Sequence, residues 1–195
     1  LVADLSSRSI DINTGFTGSE IFVFGSFDGK KGDELAIAVE GPKAETTLYK
    51  KEYTSGIWIN KDSVKFEEIP SFYLITLSDE KIVGKYKKVF KENHLGFKNL
   101  NFKTNKKLNP SQARLWQQAL ESTMEKNGMM VLNGKDGNNM IETIENILFR
   151  APINLPSSVL PGKYVIKVFH LRNGKIHSQK NTSLIVRKTG FEAKI

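Results

Sequence analysis

The strand pattern that fades near residue 78 returns only at residue 149, and the returning piece is too short to stand alone. Tyr164-Val165-Ile166-Lys167-Val168-Phe169, the turn Arg172-Asn173-Gly174-Lys175 and a return strand over 182–187 predict one hairpin. A lone hairpin buries no core, so its partners must come from the first 78 residues. Strands are expected there at Ser9-Ile10-Asp11-Ile12-Asn13, at Ser19 to Gly25 and at Leu35-Ala36-Ile37-Ala38-Val39-Glu40. Shorter ones follow at 46–52, 56–60, 64–66 and 71–77, with turns at Lys61-Asp62-Ser63 and Glu68-Ile69-Pro70. Gly162-Lys163-Tyr164, behind Pro161, stands where an Ig-like sandwich places its tyrosine corner. The expected fold is therefore mainly β with a helical insertion (α+β). Residues 1–78 plus 149–188 would form an Ig-like β-sandwich and 79–148 the insertion; two separate domains are the alternative.

The middle of the chain changes period. Ser78 can cap a helix over about 79–93 with Ile82, Val83, Tyr86, Val89 and Phe90 on one face and Gly96 to end it. Asn109-Pro110 with Gln112 is a capping-box start. It is followed by a stripe of Leu115, Trp116, Ala119, Leu120, Thr123 and Met124, closed by Asn127-Gly128; Trp116 is expected in the core. A short helical pattern spans about 140–148, after a loop at 133–139.

Bulk properties narrow the function by exclusion. With 39% hydrophobic and 26% charged residues over 195 positions, the chain can build a sizeable core. The net charge of +8 is spread along the sequence, and no zinc-finger, RRM or helix-turn-helix signature accompanies it, so no nucleic-acid partner is expected. The absence of cysteine removes disulfides, thiolate zinc, iron–sulfur clusters and a thiol nucleophile. The longest apolar stretch, 21–27, is far shorter than the ~20 residues of a spanning helix.

Chemistry-bearing residues do not converge. With a two-residue turn, His170 and His177 would face each other as half a metal site. A three-residue turn with Gly174 as a bulge instead aligns Leu184 and Val186 with Ile166 and Val168 and sends the histidines to opposite faces; the apolar pattern favours it. No serine sits in a Gly-x-Ser-x-Gly elbow or is tied to a His and an acid. Glu67 and Glu68 are adjacent and face opposite ways on a strand, so with Asp62 they read as solvated turn charges. Asp136-Gly137-Asn138-Asn139 lacks the partners of a calcium loop. No catalytic residues, metal or cofactor are expected.

The aromatic stretch Gly56-Ile57-Trp58-Ile59-Asn60 is the open question. Ile57 and Ile59 share one face, with Val64, Phe66, Phe72 and Leu74 as core, and Trp58 takes the other. Trp58 either packs under the inserted helices, the reading favoured for a large aromatic, or joins an exposed patch suited to a partner protein or a sugar. On the exposed reading Lys50, Lys51, Tyr53, Trp58 and Tyr73 form the candidate partner-binding region.

Phe16-Thr17-Gly18-Ser19-Glu20, Val23-Phe24-Gly25, Gly41-Pro42, Gly56-Ile57-Trp58-Ile59-Asn60, Pro70-Ser71-Phe72-Tyr73, Leu148-Phe149-Arg150-Ala151, Pro161-Gly162-Lys163-Tyr164 and Val186 to Glu192 occur in this order. Together they resemble the bacterial Alph_Pro_TM family of membrane proteins. The resemblance implies a cleaved signal peptide before residue 1, a single membrane helix beyond residue 195, and 189–195 as a juxtamembrane tail. It places the domain on the periplasmic side of the inner membrane. It also implies a membrane protein partner of transporter type, and brings no catalytic residues with it. The expected function is a non-catalytic, membrane-anchored accessory or binding module that docks on that partner, with a carbohydrate or cell-wall binding module as the first alternative and a hydrolase as the second.

Overall fold

A computed structural model describes residues 1–132 and 140–190. They form three sheets. The outer sheet runs β1 (Val2–Leu5), β3 (Gly18–Ser26), β11 (Leu148–Pro156), β10 (Glu142–Ile144), all antiparallel. The central sheet runs β2 (Ser9–Ile12), β13 (Lys175–Lys188), β12 (Gly162–Arg172), β4 (Glu34–Glu40), β7 (Tyr73–Leu77), β9 (Met130–Leu132). The third is β5 (Lys43–Thr54), β6 (Ile57–Pro70) and β8 (Lys103–Thr104). Helices α1 (Ile82–Lys85), α2 (Lys87–Glu92) and α3 (Pro110–Lys126) complete the set.

Strands from the two ends of the chain pair directly. β3 lies against β11, β4 against β12, and β2 alongside β13. The stretch between them carries the three helices and also gives β9 to the central sheet and β10 to the outer one.

Two cores result, one on each face of the central sheet. Leu35, Ile37 and Val39 of β4 meet Val23, Ala151 and Ile153 of the outer sheet in the first. Ala36 and Ala38, the alternate positions of the same strand, meet Tyr86, Phe90 and Leu120 in the second. This is why β4 reads as an unbroken apolar run: both of its faces are covered. The small alanines leave room for the large side chains of the helical layer. Full burial of such a side chain is worth about 1.5–3 kcal/mol over exposure, and this is what holds helices as short as α1 and α2 in place.

The α3 start is as expected. Asn109 Oδ1 accepts from the Gln112 N–H at 2.9 Å, Gln112 Oε1 accepts from the Asn109 N–H at 3.1 Å, and Pro110 opens the helix. Its stripe is narrower than the sequence implies. Leu120 and Met124 are buried and Trp116 is half-buried, but Leu115 is 67% exposed. The 79–93 helix is two short ones, because Gly84 weakens the turn and Tyr86 leaves helical backbone (φ −112°, ψ 26°) as its ring enters the core. Ser78 caps nothing; its Oγ accepts from the Leu35 N–H at 2.9 Å.

Three other expectations are corrected. No helix forms over 140–148. Glu145 and Asn146 both adopt positive φ, and Ile144 turns back to pair with Leu148. Lys61-Asp62-Ser63 is no turn but part of β6, absorbed by a bulge where the partner of Lys50 is Asp62 and that of Lys51 is Asn60. The 170–177 hairpin has a two-residue turn, with positive φ at Asn173 and Gly174. Its register shifts between His170 and Leu171, so that Tyr164 pairs with Leu184 and both are buried. The apolar pattern did choose the register, but the extra residue is His177 itself, not one in the turn. The histidines are therefore neighbours, with ring centroids 5.0 Å apart, not residents of opposite faces. The expected loop at 133–139, with its Asp136-Gly137-Asn138-Asn139, lies outside the described residues, as does most of the 189–195 tail.

Candidate functional site

β5 and β6 build a long hairpin whose root and tip live in different surroundings. At the root Val64, Phe66 and Ile69 are buried in the second core, and Phe66 pairs with Thr104 of β8. Lys65 exchanges two bonds with Asn105, each of 3.0 Å. Beyond Val64 no other described strand pairs with the hairpin. The stretch out to Ile57 extends about 23 Å, at about 3.3 Å per residue. Ser55 and Gly56, with φ of 52° and 88°, make the turn at the end. The result is a projecting arm.

The tip is apolar on both faces. Tyr53 pairs with Trp58 on one face, ring centroids 5.2 Å apart and inclined by 57°. Thr54 pairs with Ile57 and Glu52 with Ile59 on the other. Trp58 is 67% exposed, Ile57 63% and Tyr53 59%; Ile59 is exposed as well, and so is Tyr49 near the arm's base. So Trp58 is not packed under the helices. Its rotation away from the isoleucines follows the expected alternation, but Ile57 and Ile59 are not core, because the arm has left the body and has no layer to face. The dipeptide Ser55-Gly56 is the signal that marks this stretch as a hairpin tip.

Four of the five candidate contact residues converge here. Lys51, Tyr53 and Trp58 lie on the outer half of the arm and Lys50 just inside it, opposite Asp62, all exposed. Lys61 pairs with Glu52 and Lys106 takes the Asp62 carboxylate, while Lys51 is in no ion pair among the described residues. Tyr73 does not join them. It is 1% exposed on β7, its hydroxyl accepts the Gly96 N–H at 2.8 Å, and burial pushes its phenol up. Its side chain does leave the first core, as alternation requires, but the opposite face of the central sheet is covered too.

A second polar cluster joins residues far apart in sequence. Asp33 Oδ2 is 2.8 Å from His170 Nε2, and Arg172 donates from Nε and Nη2 to the same carboxylate at 2.6–3.0 Å. The guanidinium, foremost, holds the Asp33 carboxyl far below the usual carboxylate range. Arg172 Nη2 also donates to the Asp28 carbonyl at 2.6 Å, and Nη1 stands 3.1 Å from His177 Nε2. His170 is buried against Phe27, ring centroids 5.1 Å apart, and burial lowers its basicity. Ser178 Oγ lies 3.4 Å from His170 Nδ1, so the chain does contain a Ser–His–Asp contact that the sequence gives no sign of. Arg172 occupies both oxygens of its acid, and the imidazole is sealed from solvent. The arrangement clamps the β3–β4 loop to the β12–β13 tip. No group of three or more potential metal ligands occurs among the described residues.

The molecule is thus a mainly β protein with a few helices, whose exposed feature is an aromatic arm. The chain belongs to the family described as "Putative transmembrane protein (Alph_Pro_TM)", whose model matches residues 1–195. No curated protein and no solved structure matches it. Among the described residues no helix is long and apolar enough to cross a membrane.

Proposed function

We propose that this chain is a periplasmic, membrane-anchored accessory or binding module that performs no chemistry itself and docks at the membrane through the β5–β6 arm. The observation that carries the reading is the arm's tip, where four large apolar or aromatic side chains, Tyr53, Ile57, Trp58 and Ile59, are exposed together on a projection rooted in the core. An apolar cluster of this kind marks an interaction site. Membership of a family described as transmembrane supports the membrane as its setting.

The body suits a scaffold. Its two-sheet half reads as a variant Ig-like sandwich assembled from strands of 1–78 and 149–188 other than the β5–β6 hairpin, to which the 79–148 stretch adds β9 and β10 as edge strands. The Tyr164 hydroxyl donates to the Leu160 carbonyl at 2.8 Å, the bond of a tyrosine corner. A glycan platform is served less well, since flat sugar stacking needs coplanar rings and Tyr53 and Trp58 are inclined by 57°.

The test is co-sedimentation of the purified chain with isolated native membranes. Trp58→Ala and Tyr53→Ala should each reduce the bound fraction about tenfold or more, the range of a contact hot spot, and leave thermal unfolding unchanged. Undiminished binding by both variants would remove the arm from the account.

A further inference from the structure

We infer that the arm's tip enters the interfacial layer of an anionic lipid bilayer. The inference rests on the docking reading above and names what the tip meets. The first argument is the distribution of apolar groups. A groove or flat patch on a protein covers one face of a hairpin and leaves the other in water. Here Tyr53 and Trp58 occupy one face, Ile57 and Ile59 the other, and all four are exposed. A medium that surrounds the tip covers both faces at once.

Residue types make the second argument. Trp and Tyr concentrate at membrane–water interfaces because an apolar ring body and a polar atom are accommodated together. Between Tyr49 and Lys61 three lysines stand against one carboxylate, Glu52, and Glu52 is already paired with Lys61. Lys51 is in no ion pair among the described residues, and Lys50 stands opposite Asp62, whose carboxylate Lys106 already takes; both lysines can meet anionic headgroups behind the tip, their apolar stems lying along the arm.

Depth follows from the backbone. Near the tip the outer edges of β5 and β6 carry N–H and C=O groups that no other described strand pairs. Unpaired backbone groups are not tolerated in hydrocarbon, so entry stops in the headgroup region. The Ser55-Gly56 turn, Ile57 and Trp58 fall within the roughly 5–10 Å that interfacial elements reach.

The experiment uses the chain carrying Trp116→Phe, so that Trp58 is the sole indole, with protein-free vesicles of phosphatidylcholine or of phosphatidylcholine and phosphatidylglycerol. Trp58 emission should move to the blue with the anionic vesicles and little with the neutral ones. Lys50→Gln and Lys51→Gln should each weaken partitioning about fivefold, with a further loss in high salt. If native membranes bind the chain but neither vesicle shifts the emission, the lipid inference is overturned while docking stands, and the contact is with a membrane protein. Absence of binding to native membranes would sink the docking reading itself. Equal partitioning into both vesicle types, or none lost in the lysine variants, would overturn the anionic requirement.

Discussion

Asp33 and His170, 137 residues apart in the chain, meet at 2.8 Å where the β3–β4 loop crosses the β12–β13 tip. Arg172 completes the contact, and Asp33 is almost wholly buried beneath it. Asp33→Ala leaves a guanidinium and an imidazole facing an empty site, which places the change among broken buried ion pairs. We expect a loss of about 3 kcal/mol in urea unfolding, the lower end for such pairs because Arg172 keeps some contact with water. Asp33→Ala with Arg172→Ala should cost less than the sum of the two alone.

The same cluster sets a pH dependence with one sign. Burial lowers the His170 pKa below its ordinary 6.5, so as pH falls through that value the unfolded chain binds a proton that the native ring refuses. The Asp33 carboxyl is held below its ordinary 3.8, so beneath that pH the unfolded chain again takes up the extra proton. Stability therefore declines with acid in two windows, one below about 6.5 and one below about 3.8. Arg172, His177 and the Asp28 carbonyl face the cluster, and the guanidinium opposes a charge on His170. Urea midpoints measured against pH should show both declines, and His170→Gln should flatten the upper one. A flat profile between pH 7 and 5 in the unaltered protein would contradict this.

A third expectation concerns Gly25, which ends the Val23-Phe24-Gly25 motif. It is extended and pairs with Ala3 on one side and Phe149 on the other. A Cβ there would collide with the Val2 carbonyl oxygen and stand 2.9 Å from Ala3 Cα and from the Phe149 ring. Two of these obstacles are backbone and cannot rotate away. Gly25→Ala should push β1 off the sheet edge and cost about 1–3 kcal/mol, as overpacking does. Amide exchange at Ala3 and Leu5 would rise first.

What could be read from the chain was whatever is local or periodic. Asn109, Pro110 and Gln112 specify a helix start within four positions, and the structure has it there. Alternation in β12 and β13 put Leu184 and Val186 in the core with Ile166 and Val168, as found. It could not place the compensating bulge, because one extra residue anywhere between the turn and Gln179 restores the same register. That undetermined residue decides whether His170 and His177 meet. Met140 to Leu148 matches a helical period, yet pairing with β11 and positive φ at Glu145 and Asn146 override it. Tyr73, Ile57 and Ile59 fail for one shared reason. Alternation sorts side chains into two faces but does not say whether a face meets a layer, and β7 has layers on both sides while the arm's tip has none.

That division within one hairpin can be measured. Phe66 and Trp58 both lie on β6, eight positions apart. Phe66 is buried, edge-on to Phe102 at 6.1 Å between centroids, and fixed by pairing to β8. Phe66→Ala opens a cavity where the arm enters the second core and should cost about 3–5 kcal/mol. Trp58→Ala removes a larger ring from a site that nothing covers, and its effect should stay within about 0.5 kcal/mol. Urea midpoints with an unchanged slope would read both. A large loss for Trp58→Ala would show that the tip packs against the body, and with that the arm would cease to be a free contact element.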